Sequence, residues 1–360
     1  MKTGNTMNNF NVKTSLLTLA ILLPTSAAYA ETSEESLTKQ LTEIQARLAQ
    51  LEESKKPTAD ASQTSINFYG SLRPTFGVTS SDTEDSWDVG DALSRIGIGA
   101  EHKLSNGMTG FAKGEFKVQI QGDAHFGDAR KAYVGIKGDF GRIAIGKQDT
   151  TQFAIIAGPV DIFNRSASPL AYDDVSPFRQ QEMISYRKSF GNLDFRIEGQ
   201  FKGETDIEGS DLVNGGVQYT GDSFTLAAAY LTKDLAGADE NTVGVSGSKS
   251  FGDLYIAAAY QDIDRGGNGQ DRTTIDLVGA YKINEIYKVK MGYSIFSDDL
   301  MPVDSKEITR INATVEWHGS PDFYLFAEVQ NNSYEDEVAG SREDSNQFIV
   351  GMRYNFDYNF

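Results

Sequence analysis

The residue types that most often carry catalysis or bind metals are few in this 360-residue chain. It has no Cys, and its three His, at positions 102, 125 and 318, match no metal-ligand spacing such as HExxH. No GxSxG motif offers an activated Ser. Asp262 to Asp271 resembles the start of a calcium loop, but Gly266 and Thr273 stand where that loop needs ligands. The sequence therefore predicts no enzyme, no metal site and no cofactor.

The remaining candidate chemistry is that of charged side chains at every second position. Lys288 and Lys290 alternate with Val289 and Met291, and several later segments show the same period of two. Unpaired charges would be very costly in a packed apolar core, so the charged face must meet water. Strands with one wet face and one apolar face are typical of a membrane barrel around a polar lumen.

The elements that position these charges are predicted to be β-strands from Ile66 onward. Seven tight connections, rich in Gly, Asn and Asp, alternate with eight longer ones, of which the first is expected at 80–91. This rhythm predicts an all-β fold, a 16-stranded antiparallel transmembrane β-barrel spanning residues 66–360. The third long connection, 150–176, is the longest.

The last strand shows the pattern most clearly. From Gln347 to Phe360, the alternate positions that end in Tyr354, Phe356, Tyr358 and Phe360 are apolar or aromatic, while the positions between them are mostly polar or small. Such a strand would present aromatics to lipid and polar groups to the lumen. In the early segment Asp128 to Gly138 both faces carry apolar residues, and the inward face stays open.

The N-terminal part is organised differently. Residues 1–30 are predicted to be a cleaved signal peptide, with a short apolar core and an Ala28-Tyr29-Ala30 cleavage site. Residues 31–56 are predicted to form a periplasmic helix, either a single amphipathic helix or a short coiled coil, and 57–65 a linker. The seam of that helix has heptad spacing and consists of Leu37, Leu41, Ile44, Leu48 and Leu51.

Charge and hydropathy set further limits. The formal charge of -18 argues against nucleic acid as a partner. No segment reaches the roughly 18 to 20 apolar residues that a membrane helix needs. Strands therefore remain the predicted membrane-crossing elements.

One long segment carries a family resemblance. Ala129 to Gln148 resembles the strand–turn–strand that leads into the constriction loop of Gram-negative general diffusion porins. Phe68 to Gly70, Leu93 to Gly97 and Arg179 to Tyr186 are similar to other parts of the same family, in the same order. The resemblance covers Ile66 to Phe360. It implies a homotrimer in the outer membrane, with the third loop folded into the lumen.

The resemblance also implies specific site residues. Its basic wall positions correspond to Arg73, Arg95, Arg130 and Arg179, although Arg73 lies two residues beyond the usual position, where this chain has Ser71. The loop acids Asp161, Asp173 and Asp174 would face this wall, although the usual acidic motif of the loop is not reproduced. Such opposed charges discriminate solutes by size and charge.

The ending of the chain has a family counterpart as well. In these porins the final Phe and the alternating aromatics are recognised by the barrel-assembly machinery. The resemblance therefore implies that Phe360 and Tyr358 form an assembly signal. The expected surroundings are outer-membrane lipid and lipopolysaccharide.

Three functions remain open. The expectation is a water-filled channel for passive diffusion of small hydrophilic solutes and ions. A channel selective for sugars or anions is the alternative, although the acidic balance disfavours a Lys/Arg ladder and the inner face shows no obvious aromatic ladder. A structural tether that acts through the N-terminal helix is the third.

Overall fold

The structure is a computed structural model that describes residues 42–43, 46–47, 63–122, 126–165, 177–203, 211–235, 238–266, 270–298, 307–334 and 344–360. The expected signal peptide and the five seam residues of the expected helix lie outside the described residues. Thr42, Glu43, Ala46 and Arg47 are helical, and Arg47 forms an ion pair with Glu43 at 3.1 Å. Among the described residues, no helix has the length and apolar character needed to cross a membrane.

Strands dominate the rest of the described chain. Their bounds are β1 (Thr64–Leu72), β2 (Pro74–Ser81), β3 (Asp85–Asp91), β4 (Arg95–Lys103), β5 (Thr109–Val118), β6 (Phe126–Gly138), β7 (Gly141–Asp149), β8 (Arg179–Phe190), β9 (Leu193–Gln200), β10 (Leu212–Thr220), β11 (Phe224–Leu235), β12 (Ala238–Phe251), β13 (Leu254–Arg265), β14 (Gln270–Lys282), β15 (Tyr287–Asp298), β16 (Glu307–Ser320), β17 (Phe323–Tyr334) and β18 (Ser345–Asn359).

These segments form one closed antiparallel barrel. β1 and β2 are two halves of a single wall strand interrupted at Arg73, and β3 and β4 are two halves of the next, interrupted at 92–94. The described strands therefore make sixteen wall strands, as predicted. Each pairs with its chain neighbour, and β18 closes the ring by pairing with both β1 and β2.

The first long connection was predicted wrongly. Residues 80–91 do not form a loop, because Asp85–Asp91 is the strand β3, paired with β2 after a short turn. Trp87 and Val89 point outward and are 65% and 64% exposed, while Asp88 and Gly90 lie on the inner face. The alternation is present in the sequence, but the Asp and Gly around it resemble a loop.

The structure settles which face of the early strands is inward. Val134 and Ile136 of β6 are exposed on the outer face, with Val134 at 60%. Tyr133 therefore lies on the inner face, where its ring meets that of Phe111 from β5 at 6.3 Å, edge to face. The apolar residues on both faces of this segment thus include one aromatic, Tyr133, inside the lumen.

The described part of the third connection lies against the inner wall. It forms a π-helical segment, Gln152–Ala157, and a 3₁₀ turn, Gly158–Val160. Its apolar side chains pack on small wall residues in a buried cluster of Ile155, Ile156, Val160, Phe163, Ala227, Ala229, Ala257, Ala259 and Val278. A Cβ on Gly244 would lie 2.9 Å from Ile156, and one on Gly292 would lie 2.6 Å from Phe163. These glycines therefore permit the close approach of the loop.

Candidate functional site

A cavity of about 750 Å³ lies between this connection and the early strands. Its charged lining, among the residues that the structure describes, comprises seven cationic side chains and four acidic ones. The cationic residues are Arg73, Arg95, Arg130, Lys131, Arg165, Arg179 and Arg353, and the acidic ones are Asp91, Glu115, Asp149 and Asp161. All four arginines predicted for the basic wall therefore meet in one place, together with Asp161.

Three of the arginines surround Ser71. Arg73 donates from Nε to Ser71 Oγ at 2.8 Å, and Arg353 donates from Nε to the same oxygen at 3.2 Å. Arg95 lies directly opposite Ser71 in the pairing of β1 with β4. Within the described part of the chain, no carboxylate lies within 4 Å of these three guanidinium groups. Arg73 and Arg353 are therefore held by neutral partners.

An interruption of two strands gives Arg73 its position. The Arg73 backbone N–H donates to Ser94 Oγ at 2.7 Å, and its carbonyl accepts the Ala92 N–H at 2.9 Å. Leu93 has a φ of 69°, a left-handed value that is uncommon for a residue with a side chain. The strained turn at 92–94 thus takes the place of regular pairing and lets the Arg73 side chain turn into the cavity.

A β-bulge positions Arg130. The pairing of β5 with β6 shifts between Glu115 and Phe116, so that Arg130 and its neighbour Lys131 both reach the cavity. Arg130 Nε donates to Glu115 Oε1 at 2.9 Å, and Tyr69 OH donates to Glu115 Oε2 at 2.9 Å. Glu115, which is 5% exposed, thus compensates one charge of the wall and fixes its side chain.

Arg179 is held by an acid and by aromatic rings. It forms an ion pair with Asp149 at 2.9 Å, and Lys131 pairs with the same carboxylate. The Arg179 guanidinium carbon lies 3.6 Å from the centre of the Phe178 ring, and Phe178 meets Phe153 edge to face at 4.0 Å. This cation–π contact, favourable at such distances, limits the orientations open to Arg179.

The loop side of the cavity carries both signs of charge. Asp161 follows the 3₁₀ turn, with its backbone N–H bonded to the Ala157 carbonyl at 3.1 Å. Arg165 pairs with Asp88 of β3, and its backbone N–H donates to Glu328 Oε1 of β17 at 2.9 Å. The predicted acids Asp173 and Asp174 lie outside the described residues.

Six charged members of the lining were not among the predicted site residues. They are Lys131, Arg165, Arg353, Asp91, Glu115 and Asp149. Glu115 shares one strand face with Lys113 and Lys117, and this row of charges at every second position indicates that it points inward. Arg165 carries no such signal, because it reaches the cavity from an irregular segment.

The predicted assembly residues lie at the closure of the ring. Phe360 N–H donates to the Ile66 carbonyl at 2.8 Å, and Ile66 N–H donates back to the Phe360 carbonyl at 3.0 Å. Tyr358 and Phe360 are exposed on the outer face, Phe360 at 78%. Phe360 therefore takes part in the backbone pairing that closes the barrel.

A family model described as Gram-negative porin matches residues 18–360. The chain is 28% identical over 329 residues to a protein named monosaccharide porin from Halomonas sp, covering 81% of this chain and 83% of that relative. It is 26% identical over 330 residues to outer membrane protein U of Vibrio parahaemolyticus, covering 81% of this chain and 91% of the relative.

Solved structures share the fold. An anion-selective porin from Comamonas acidovorans superposes with a TM-score of 0.69 at 18% identity, over 82% of this chain and all of that one. An outer membrane protein of Vibrio cholerae, solved in a trimer form, gives a TM-score of 0.65 at 20% identity, over 82% of this chain and 100% of that chain. Both have the same barrel architecture.

Proposed function

The chain belongs to the Gram-negative porin family, and we propose that its charged cavity is a constriction that passes small anions in preference to cations. The protein is an outer-membrane diffusion channel, and family and fold indicate a channel rather than an enzyme. The selectivity of the channel, the roles of the named residues and the oligomeric state are what we propose here.

The observation that carries the anion preference is the arginine group around Ser71. Arg73 and Arg353 share one hydroxyl oxygen, and Arg95 lies directly opposite it. Charges that are held by neutral groups keep their field in the lumen, whereas Arg130 and Arg179 are each paired with an acid. A local positive potential attracts anions into a narrow channel even in a chain whose total charge is -18.

The total charge is therefore a poor guide to selectivity. The acidic balance of the sequence disfavours an anion channel only if the charges are spread evenly. Among the described lining residues, seven cations stand against four acids, an excess of three positive charges. The Comamonas protein, whose fold is the same, is described as anion-selective, which agrees with this proposal.

The test is the reversal potential of the purified protein in a planar bilayer under a KCl gradient. We expect stepwise conductance and a reversal potential of the sign given by chloride permeation. Arg95→Gln should reduce the chloride preference. Arg272 pairs with Asp298 outside the cavity, so Arg272→Gln should leave the preference unchanged. A cation-selective wild-type channel would refute the proposed preference.

A sugar channel is the second candidate. The aromatic rings of Phe153 and Phe178 line the cavity, and the Halomonas relative is named a monosaccharide porin. Aromatic faces beside polar groups suit a sugar ring as well as an anion. Glucose should then block the ionic current, and its half-blocking concentration should stay the same when the arginines around Ser71 are replaced. This result would favour the sugar channel over the anion channel.

We further propose that the chain assembles as a homotrimer within lipid and lipopolysaccharide, after recognition of Phe360 and Tyr358 by the barrel-assembly machinery. The trimer form of the related Vibrio structure supports the oligomer, and the outward aromatics of β18 support the lipid contact. Cross-linking of the protein in intact membranes should give a species three times the mass of the monomer. A product no larger than the monomer would refute the trimer.

A further inference from the structure

A second cavity, of about 410 Å³, lies in the lumen towards the barrel end that carries the short turns. Short turns mark the periplasmic end of outer-membrane barrels. Its aromatic and charged lining comprises three aromatics, three cations and one acid: Tyr69, Phe111, Tyr133, Lys113, Lys137, Arg142 and Glu101. Its volume is within the range of small-molecule sites. We call it the vestibule cavity.

Aromatic rings and cations are interleaved in the vestibule cavity. The guanidinium carbon of Arg142 lies 4.5 Å from the centre of the Phe111 ring and 5.2 Å from that of Tyr133. Lys113 Nζ lies 4.6 Å from the centre of the Tyr69 ring. Cations that rest on rings are held in place without losing their charge. The cavity therefore offers fixed positive groups beside an apolar surface.

Register places four cations in one row across four strands. Each cation lies directly opposite the next one on the neighbouring strand. In order, they are Lys137 of β6, Arg142 of β7, Arg187 of β8 and Arg196 of β9. Like charges directly opposite each other destabilise a sheet. The outer two are compensated, because Lys137 pairs with Glu101 at 2.6 Å and Arg196 pairs with Asp194 at 2.6 Å.

The inner two cations of the row lack such compensation. Within the part of the chain that the structure describes, no carboxylate lies within 4 Å of Arg142 or Arg187. Arg142 Nη1 and Arg187 Nε are also buried without a hydrogen-bond partner there. Of the two, Arg142 lines the vestibule cavity, and its planar guanidinium group matches the two oxygens of a carboxylate.

We propose that the vestibule cavity binds small organic acids that carry a ring, with the carboxylate held by Arg142 and the ring against the edges of Phe111 and Tyr133. Arg187, directly opposite Arg142 on β8, adds positive charge behind the site. Lys113 faces the same space and adds positive charge. The site lies beyond the constriction, so an anion that has passed the Ser71 arginines meets it before leaving the barrel. This inference rests on the proposed anion-conducting channel and assigns it a class of solute.

Benzoate is the probe, and acetate is its matched control without a ring. In a planar bilayer at about 0.1 M KCl, where charges are only partly screened, each is added to either side and the half-blocking concentration is measured. Contact with the aromatic edges should make benzoate block at about threefold to tenfold lower concentration than acetate. Equal concentrations for the two probes would overturn the role of the rings.

Variants locate the site. Arg142→Gln should raise the half-blocking concentration of benzoate about tenfold, or about 1.4 kcal/mol, and Lys113→Gln should raise it about threefold. Arg272→Gln removes a lumenal arginine elsewhere and should change nothing. If Arg142→Gln does not assemble, the effect of Lys113→Gln alone shows whether benzoate binds in the vestibule cavity. An equal effect of Arg272→Gln, or none from Lys113→Gln, would place the block elsewhere.

The outcome also separates this inference from the proposed function. A channel with chloride preference that benzoate does not block would overturn the vestibule site and leave the constriction intact. A channel that shows no anion preference, but that benzoate still blocks through Arg142, would overturn the proposed preference and leave the vestibule site intact.

Discussion

Replacing Glu115 by Gln tests whether the cavity charges set selectivity. Glu115 is buried between Tyr69 and Arg130, and Gln keeps its size and an oxygen acceptor for hydrogen bonds. The substitution removes one of four acids from the described lining, so the excess of positive charge rises from 7 − 4 = 3 to 7 − 3 = 4. Chloride should therefore be preferred more strongly in Glu115→Gln than in the wild type.

The size of the effect follows from Coulomb's law. One charge about 8 Å from a permeating ion in water contributes about 0.5 kcal/mol, and screening at about 0.1 M salt leaves roughly half of it. The effect favours chloride and disfavours potassium by equal amounts. The chloride-to-potassium permeability ratio should therefore increase about twofold, which corresponds to about 0.5 kcal/mol.

The assay is the reversal potential under a KCl gradient, compared with the wild type in the same salt. Glu240→Gln is the matched control, because Glu240 lies on the inner face of β12 but does not line the cavity. An unchanged or reduced ratio in Glu115→Gln would refute the reasoning. An equal increase of the ratio in Glu240→Gln would also refute it, because removing any lumenal acid would then raise the chloride preference.

Four other changes test separate parts of the argument. Neutralising Asp161 together with Asp173 should also shift the reversal potential towards chloride, and an unchanged potential would show that these acids do not face the permeating ions. Ile156→Ala should weaken loop packing by about 2 to 5 kcal/mol and give a noisier single-channel current; an equally quiet trace would contradict the packing role. Deletion of Phe360 should lower the yield of assembled barrels while the channels that do form keep their conductance, so normal yield would contradict its place in closure. Deletion of residues 31–56 should abolish cross-linked trimers with conductance intact if the helix is a coiled coil; persistent trimers would argue for the single helix.

Much of the wall was predictable from sequence because a strand's side-chain period is fixed. The alternation that ends in Tyr358 and Phe360 identifies a strand between lipid and water, and repeated turn residues give the number of wall strands. Arg73, Arg95, Arg130 and Arg179 were placed through a family resemblance, and the structure brings all four to one cavity.

The parts that escaped prediction depend on irregular backbone or on register. The turn at Leu93 and the bulge beside Arg130 redirect side chains that a regular period would send elsewhere. Arg165 reaches its partners because the described part of the third connection runs along the inner wall. The row from Lys137 to Arg196 depends on the pairing of four strands, which no local pattern specifies.

The closing pair between Ile66 and Phe360 also constrains the order of folding. Asn67 and Asp357 touch across 290 positions of sequence, whereas most other wall contacts join strands that follow one another in the chain. Contacts of such long range are slow to form, because loop closure must precede any gain. Synthesis delivers β18 long after β1 and β2, with which it closes the ring, so a growing chain exposes two unpaired sheet edges until then. The barrel cannot complete its perimeter one strand at a time, and its final step is the meeting of its two ends.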